Sequence, residues 1–83
     1  MLRVQVISPE QVLYQGEVDS MVAPAFDGEV GILTGHAPMM TLLGRGVLRL
    51  GGADGGRQFR VSGGFLQVAD DQVRVVTEDA AAL

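Results

Sequence analysis

The sequence predicts an all-β domain, a flattened antiparallel sandwich or barrel of eight or nine short strands. Along most of the 83 residues the apolar positions recur with a period near two, which is the strand pattern. The chain contains 12 glycines, about twice the average usage, and most of them fall between the apolar runs. Short runs at close, even spacing are typical of sandwiches and barrels.

The runs follow one another along the whole chain. Leu2, Val4 and Val6 share one face of a first strand, which ends at Ser8-Pro9. The later strands are predicted at 11–16, 17–22, 29–33, 39–43, 47–50, 57–61, 65–69 and 73–77. Turns or hairpin connections are predicted at Asp27-Gly28, Gly51–Gly56 and Asp70-Asp71.

The last residues differ in character from the rest of the chain. Thr77 is suited to a helix N-cap, Glu78 and Asp79 to a first helical turn, and Ala80–Leu83 are helix formers. We therefore predict one β-sandwich domain over residues 1–83, with strands and turns in 1–77. Residues 78–83 are predicted to be a short tail that begins a helix and frays unless it docks on the sheet.

Composition excludes several classes of function. Cys is absent, which removes disulfides, thiolate zinc sites and a nucleophilic thiol, and Lys is absent, which removes the P-loop lysine and the Schiff-base lysine. His36 is the single histidine, so no second imidazole exists for a two-His metal site. The formal net charge of −4 and four scattered aromatic residues argue against nucleic acid as a partner. We expect no cofactor and no metal.

The chain also lacks the features of a secreted or membrane-spanning protein. No apolar run approaches the roughly 18 residues needed to cross a bilayer. Its first six residues, Met1–Val6, have no basic head, apolar stretch or small-residue cleavage site. We expect a cytosolic location.

Polar residues around His36 leave alternatives open. His36 lies in a glycine-bounded turn, where we expect its ring to donate to a backbone carbonyl and fix the loop. A hydrolase using His36 with Ser62 competes with that interpretation, although a nucleophile elbow needs Gly at position 60, where Arg60 stands. Asp27 and Glu29 belong either to a solvated turn or to a loop presented to a partner.

One segment carries more apolar residues than a single buried face requires. Apolar residues of both parities occur in the runs Val30, Ile32, Leu33 and Ala37, Met39, Met40, Leu42, Leu43. In a two-layer sandwich this pattern indicates that the outer face is covered too, by another chain. Met39 and Met40 fit such a surface or the core equally well. The pattern favours a binding module over an enzyme.

Two segments resemble signatures of a known family. Gly28–Pro38 looks like the signature loop of the epsilon subunit of F-type ATP synthases, called delta in mitochondria. Val61–Val68 resembles the second signature of that family. The blocks 4–10 and 73–78 are similar in place and pattern, so the resemblance covers essentially the whole chain in order.

The resemblance implies a ten-stranded flattened β-sandwich on the central stalk of the rotor. Such a subunit is non-catalytic and binds no ATP through this domain. It joins the gamma subunit to the c-ring, coupling ion translocation to ATP synthesis at the cytoplasmic face of the inner (plasma) membrane, where it is peripheral. With the apolar segment, the expected interface residues are Asp27, Glu29, Val30, Ile32, Leu33, His36, Met39, Met40 and Leu42. A free-standing regulatory or ligand-binding β-sandwich is the alternative.

The sequence departs from the family pattern in two places. Thr34 stands where the family commonly has Pro, so the loop lacks a rigid turn. Family members usually continue into a two-helix hairpin that restrains ATP hydrolysis, and this sequence ends where that hairpin would start. We therefore expect a subunit that lacks the inhibitory arm.

Overall fold

Strands account for nearly all the regular structure of the chain. A computed structural model describes residues 1–51 and 56–83, and in these it shows eight strands and no helix. They are β1 (Leu2–Ile7), β2 (Val12–Val18), β3 (Ser20–Ala25), β4 (Gly28–Leu33), β5 (Met39–Leu42), β6 (Arg45–Leu50), β7 (Gln58–Ala69) and β8 (Gln72–Ala82). This confirms the all-β prediction. Most of the connection predicted at Gly51–Gly56 lies outside the described residues.

The strands form a continuous sheet folded around one core. Their order is β2-β1-β8-β7-β6-β3-β4, and β5 pairs with β7. Every pairing is antiparallel except β1 with β8. All strands except β5 contribute fully buried or nearly buried side chains to one apolar cluster, in which the largest fully buried members include Phe59, Leu2, Met21, Ile32, Leu48 and Leu66. The alternating burial of each strand leaves a second face outward, and that face is available for recognition.

Strand β7 is longer than predicted because the runs at 57–61 and 65–69 form one strand. Its first part, residues 58–62, pairs with β6, and residues 65–68 pair with β5. The change of partner falls at Gly63 and Gly64, whose φ angles are +74° and +102°. A Cβ at Gly64 would collide with the carbonyl oxygen of Val76 on the neighbouring strand β8. The glycines therefore let one strand pair with β6 in its first part and with β5 in its second. The described residues contain eight strands, whereas the resemblance implied ten.

Two hairpin turns follow the sequence predictions closely. The β7–β8 hairpin turns at Asp70 and Asp71, with φ angles of +52° and +59°. Two successive residues with positive φ are the mark of a type I′ turn, in which Asp is well tolerated. The β3–β4 hairpin turns at Phe26 and Asp27, and Gly28 is already the first residue of β4. This second turn is therefore displaced by one residue from its predicted place.

The helical prediction for residues 78–83 is wrong. Strand β8 continues to Ala82, and Asp79, Ala80, Ala81 and Ala82 pair with residues 62 to 59 of β7. A helix of six residues is marginal in water, whereas the edge of β7 offers backbone partners along its whole length. Thr77 is buried, and its hydroxyl donates to the carbonyl oxygen of Asp79 at 2.9 Å instead of capping a helix. The tail belongs to the sheet.

In residues 1–51 and 56–83 no helix is long and apolar enough to cross a bilayer.

Candidate interaction surface

The predicted interface segment runs from the β3–β4 turn through β4, the loop 34–38 and β5. Its burial alternates along the strands, so its members divide between two faces. Exposed to solvent are Asp27, Glu29, Leu33, Met40 and Leu42, whereas Val30, His36 and Met39 are half-buried. Ile32 is fully buried in the core, so its side chain is not part of any surface. Met39 packs against the core and Met40 points away from it, so each methionine fulfils one of the two roles considered.

Strand pairing assembles an apolar row on the outer face of the sheet. Residues paired directly across neighbouring strands place their side chains on the same face. The register aligns Leu42 of β5 with Phe65 of β7, Phe65 with Val76 of β8, Val76 with Ile7 of β1, and Ile7 with Val12 of β2. We call these five residues the apolar row. Five strands at a spacing of about 4.8 Å make the row about 19 Å long.

The two ends of the apolar row are its most exposed parts. Leu42 is 61% and Val12 is 53% exposed, and the three residues between them are half-buried. Phe26, which is 66% exposed, extends the row beyond Leu42, because its backbone N–H donates to the Leu42 carbonyl at 3.0 Å. Contiguous exposed apolar surface is typical of sites of association.

A polar row lies beside the apolar row on the same face. It runs through Met40, Gln67, Arg74, Gln5 and Gln15, which the same strand register aligns. Apart from Met40 these side chains are polar, and Met40 adjoins Leu42 at the β5 end. An apolar strip with a polar margin is the usual anatomy of a protein interface.

The loop 34–38 at the end of β4 is held by three hydrogen bonds. The backbone N–H of His36 donates to the Leu33 carbonyl at 3.1 Å, and that of Gly35 donates to Oδ1 of Asp71 at 2.6 Å. The Nδ1 of His36 lies 2.7 Å from the carbonyl oxygen of Ala37. Because a carbonyl oxygen only accepts, this contact requires the proton on Nδ1, which agrees with the expected donation from the ring to a backbone carbonyl.

An ion pair lies at the other end of strand β4, beside the β3–β4 turn. Glu29 accepts from the guanidinium of Arg49 on β6 at 3.3 Å. Both side chains are about half exposed, 57% for Glu29 and 46% for Arg49, so the pair contributes little to folding. Glu29 is thus displayed at the surface with its carboxylate oriented, as a contact residue would be.

Groups that could perform chemistry are not gathered near this surface. In the described part of the chain no three His, Asp or Glu side chains are close enough together to hold a metal ion. Ser62 lies on β7 opposite Arg45 of β6 and Asp79 of β8, whereas the hydrogen bonds of His36 are to its own loop. The geometry of this surface is suited to recognition.

Comparison with known proteins decides the family. The family model described as ATP synthase, Delta/Epsilon chain, beta-sandwich domain matches residues 1–82. The chain belongs to this family. The apolar row therefore lies on the β-sandwich domain of a delta/epsilon-family chain.

Related epsilon chains support the same assignment. The chain is 46% identical over 80 residues to the ATP synthase epsilon chain of Leptospira borgpetersenii, covering 96% of this chain and 63% of the relative. It is 46% identical over 76 residues to that of Rhodopirellula baltica, covering 92% of this chain and 59% of the relative. The chain thus spans about three fifths of the length of these epsilon chains.

Solved structures match the fold of this epsilon-family domain. A chain of the Euglena gracilis mitochondrial ATP synthase, solved as OSCP/F1/c-ring in rotational state 1, superposes with a TM-score of 0.88 at 26% identity. The match covers 98% of this chain and 52% of that one. A chain of the Tetrahymena thermophila central stalk and c-ring shares the fold alone, with a TM-score of 0.80 at 15% identity over 96% of this chain and 65% of the other.

Some residues of the epsilon-type surface were missed by sequence analysis. Phe26, Phe65, Val76, Ile7 and Val12 all contribute exposed or half-buried apolar area. Adjacent apolar residues, as in Val6-Ile7 and Val75-Val76, carry the same both-parity signal that singled out Met39 and Met40. What the sequence does not contain is the register that aligns them, which only the folded sheet supplies.

Proposed function

We propose that this chain is a non-catalytic subunit of the central stalk of an F-type ATP synthase. In that role it joins the gamma subunit to the c-ring and so couples ion translocation to ATP synthesis. The observation that carries the proposal is the apolar row, which lies on a domain of the delta/epsilon family and begins where the 27–42 segment ends. Relatives named epsilon chain and the likeness to a chain of an F1/c-ring assembly support it.

The apolar row is the part of the surface that we assign to the gamma subunit. A joint that transmits torque must resist sliding, and burial of apolar side chains stabilises it in proportion to the area removed from water. A standard interface covers about 800 Å² on each partner, which a row about 19 Å long with its polar margin can supply. Leu42 and Phe26, which are 61% and 66% exposed, lie at one end of the row and form the anchor.

The β3–β4 turn and the loop 34–38 are the parts that we assign to the c-ring. Asp27 and Glu29 are exposed at the turn, and Leu33, at the other end of β4 next to the loop, is 64% exposed. Charged and polar groups at an interface fix orientation more than they add affinity. The two acids would thus set how the sandwich sits on the polar loops of the ring.

This assignment places the protein peripherally at the membrane, on the cytoplasmic face, through the rest of the complex. ATP is not expected to bind to the domain. The sequence contains no Lys, which excludes a P-loop site, in which a lysine contacts the phosphates.

Co-purification tests the proposed function. We expect the folded chain to associate stably with the gamma subunit and the c-ring of the same organism when the three are reconstituted. Failure to associate, with the sandwich shown to be folded by circular dichroism, would contradict the proposal. A tightly held small molecule found by native mass spectrometry in the same sample would favour the ligand-binding alternative.

Replacing Glu29 tests the assignment of the β3–β4 turn. We expect Glu29→Ala to weaken binding to the gamma–c-ring assembly by about three- to tenfold, because a contact to a charged group is lost. The free energy of unfolding should change by less than about 1 kcal/mol, since the ion pair with Arg49 is exposed. Surface plasmon resonance and urea unfolding measure the two quantities.

Arg49→Ala is the matched control for Glu29→Ala. It breaks the same ion pair and leaves the carboxylate in place. If the two variants weaken binding equally, Glu29 acts only through Arg49 and the assignment of its carboxylate to the partner is wrong.

A further inference from the structure

One hydrogen bond joins two parts of the chain that are far apart in sequence. The Oδ1 atom of Asp71, in the β7–β8 turn, accepts from the backbone N–H of Gly35 at 2.6 Å. The two residues are 36 positions apart. The contact ties the loop 34–38, which carries His36, to the β7–β8 turn, next to which β5 pairs with the end of β7.

Asp71 is itself fixed by the surrounding backbone. Its φ angle of +59° is set by the type I′ turn, and its carbonyl oxygen accepts from the backbone N–H of Arg3 on β1 at 2.8 Å. The residue is half-buried. Its carboxylate therefore projects from a corner whose backbone is fixed by the turn and by the hydrogen bond to β1.

The loop has little else to hold its middle in place. Gly35 is exposed and has a φ of +88°, and a Cβ placed there would meet nothing within 4 Å. The remaining hydrogen bonds of the loop are local, from the His36 backbone to Leu33 and from its ring to Ala37. Among the described contacts of the loop, the one to Asp71 alone reaches another part of the sheet.

We infer that Asp71 is a positioning residue for the interaction surface. Its carboxylate holds the loop 34–38 in the conformation that presents Leu33 and His36, so that the loop is ordered before a partner binds. Ordering a loop in advance removes that entropic cost from association. The inference rests on the proposed function, since it concerns the part of the surface assigned to the c-ring.

The chain offers a matched pair of variants for this test. Asp70 and Asp71 occupy the same turn with nearly the same φ angle, and glycine is the residue best suited to both positions. Among the described contacts, the side chain of Asp71 accepts the Gly35 hydrogen bond and that of Asp70 makes none. Asp71→Gly therefore removes the acceptor, and Asp70→Gly reproduces the change in the backbone without removing it.

Two measurements on each variant separate positioning from folding. The first is the hydrogen exchange rate of the Gly35 amide by NMR, relative to the amide of Val75 in the core of the same sample. The second is affinity for the gamma–c-ring assembly. For Asp71→Gly we expect the relative exchange rate at Gly35 to rise, and the affinity to fall, by about three- to tenfold each. Asp71→Asn keeps an oxygen acceptor and tolerates positive φ, so it should recover most of both effects.

The outcomes distinguish this inference from the proposed function. If the wild-type chain binds and Asp71→Gly matches Asp70→Gly in both measurements, the positioning role is overturned and the proposed function stands. Faster exchange at Gly35 with unchanged affinity also overturns the positioning role, because the loop would then have lost its order without any effect on binding. If the folded wild-type chain does not bind, the proposed function fails and this inference fails with it.

Discussion

Replacing Gly64 with Ala is expected to destabilise the domain by about 3 kcal/mol, through backbone strain and a collision together. The φ of +102° at Gly64 is a conformation that residues with a Cβ rarely adopt. An added Cβ would also collide with the Val76 carbonyl oxygen and would lie 2.8 Å from the Cα of Thr77. Both obstacles are backbone atoms of a paired strand and cannot rotate away. Urea unfolding followed by circular dichroism measures the change.

Two other glycines serve as controls for Gly64→Ala. Gly31→Ala meets nothing within 4 Å and has no positive φ, so it should change the free energy of unfolding by less than about 0.5 kcal/mol. Gly28→Ala has a φ of +130° in open space and isolates the cost of backbone strain, about 1–2 kcal/mol. If Gly64→Ala lowers the free energy of unfolding no more than Gly28→Ala does, strand β8 moves to admit the Cβ. That result would contradict the close contact between Gly64 and the Val76 carbonyl as a fixed constraint.

Introducing a charge into the apolar row should have the largest effect on association. We expect Leu42→Glu to weaken binding to the gamma–c-ring assembly about 100-fold or more, because assembly would bury an unpaired carboxylate at the anchor. Leu42 is 61% exposed, so the free energy of unfolding should fall by less than about 1 kcal/mol. Isothermal titration calorimetry and urea unfolding measure the two quantities.

Val47→Glu is the control for Leu42→Glu. Val47 also points outward from a strand, but it lies on β6 opposite Arg60, away from the apolar row. Its replacement should leave binding within about twofold of the wild type. If both variants bind like the wild type, the apolar row is not the contact with gamma.

The strands were predictable because the residues on their inner faces are apolar and alternate with polar residues along the chain. Leu2, Val4 and Val6 alternate with polar residues, and all three are fully buried. Turn residues were informative for the same local reason, since Asp70 and Asp71 adopt the positive φ angles that the hairpin demands. These signals depend on neighbours in the chain, which the sequence shows directly.

The tail and the long strand β7 were not predictable, because non-local pairing decides both. Helix propensity at Ala80–Ala82 is worth only tenths of a kcal/mol per residue, and it gives way to backbone pairing with β7. The glycines at 63 and 64 suggested an end to one strand and the start of another. In the structure they bend one strand, and only its partners β5 and β6 show that.

The candidate surface was only partly visible in the sequence, because its residues come from several strands. The exposed residues Met40 and Leu42 were found from a linear segment rich in apolar residues. Their neighbours in the apolar row come from four other strands, and their alignment depends on register. Asp71 was assigned only to a turn, since nothing in the sequence connects it with Gly35.

Thiol labelling of single-cysteine variants tests the central claim most directly, because the natural sequence contains no Cys. Leu42→Cys and Val12→Cys mark the two ends of the apolar row, and Arg60→Cys marks the outer surface of β7 beside β6. On assembly with gamma and the c-ring, maleimide labelling should slow by about tenfold or more at positions 42 and 12 and by less than about twofold at position 60. Unchanged labelling at positions 42 and 12 in an assembled complex would contradict the account.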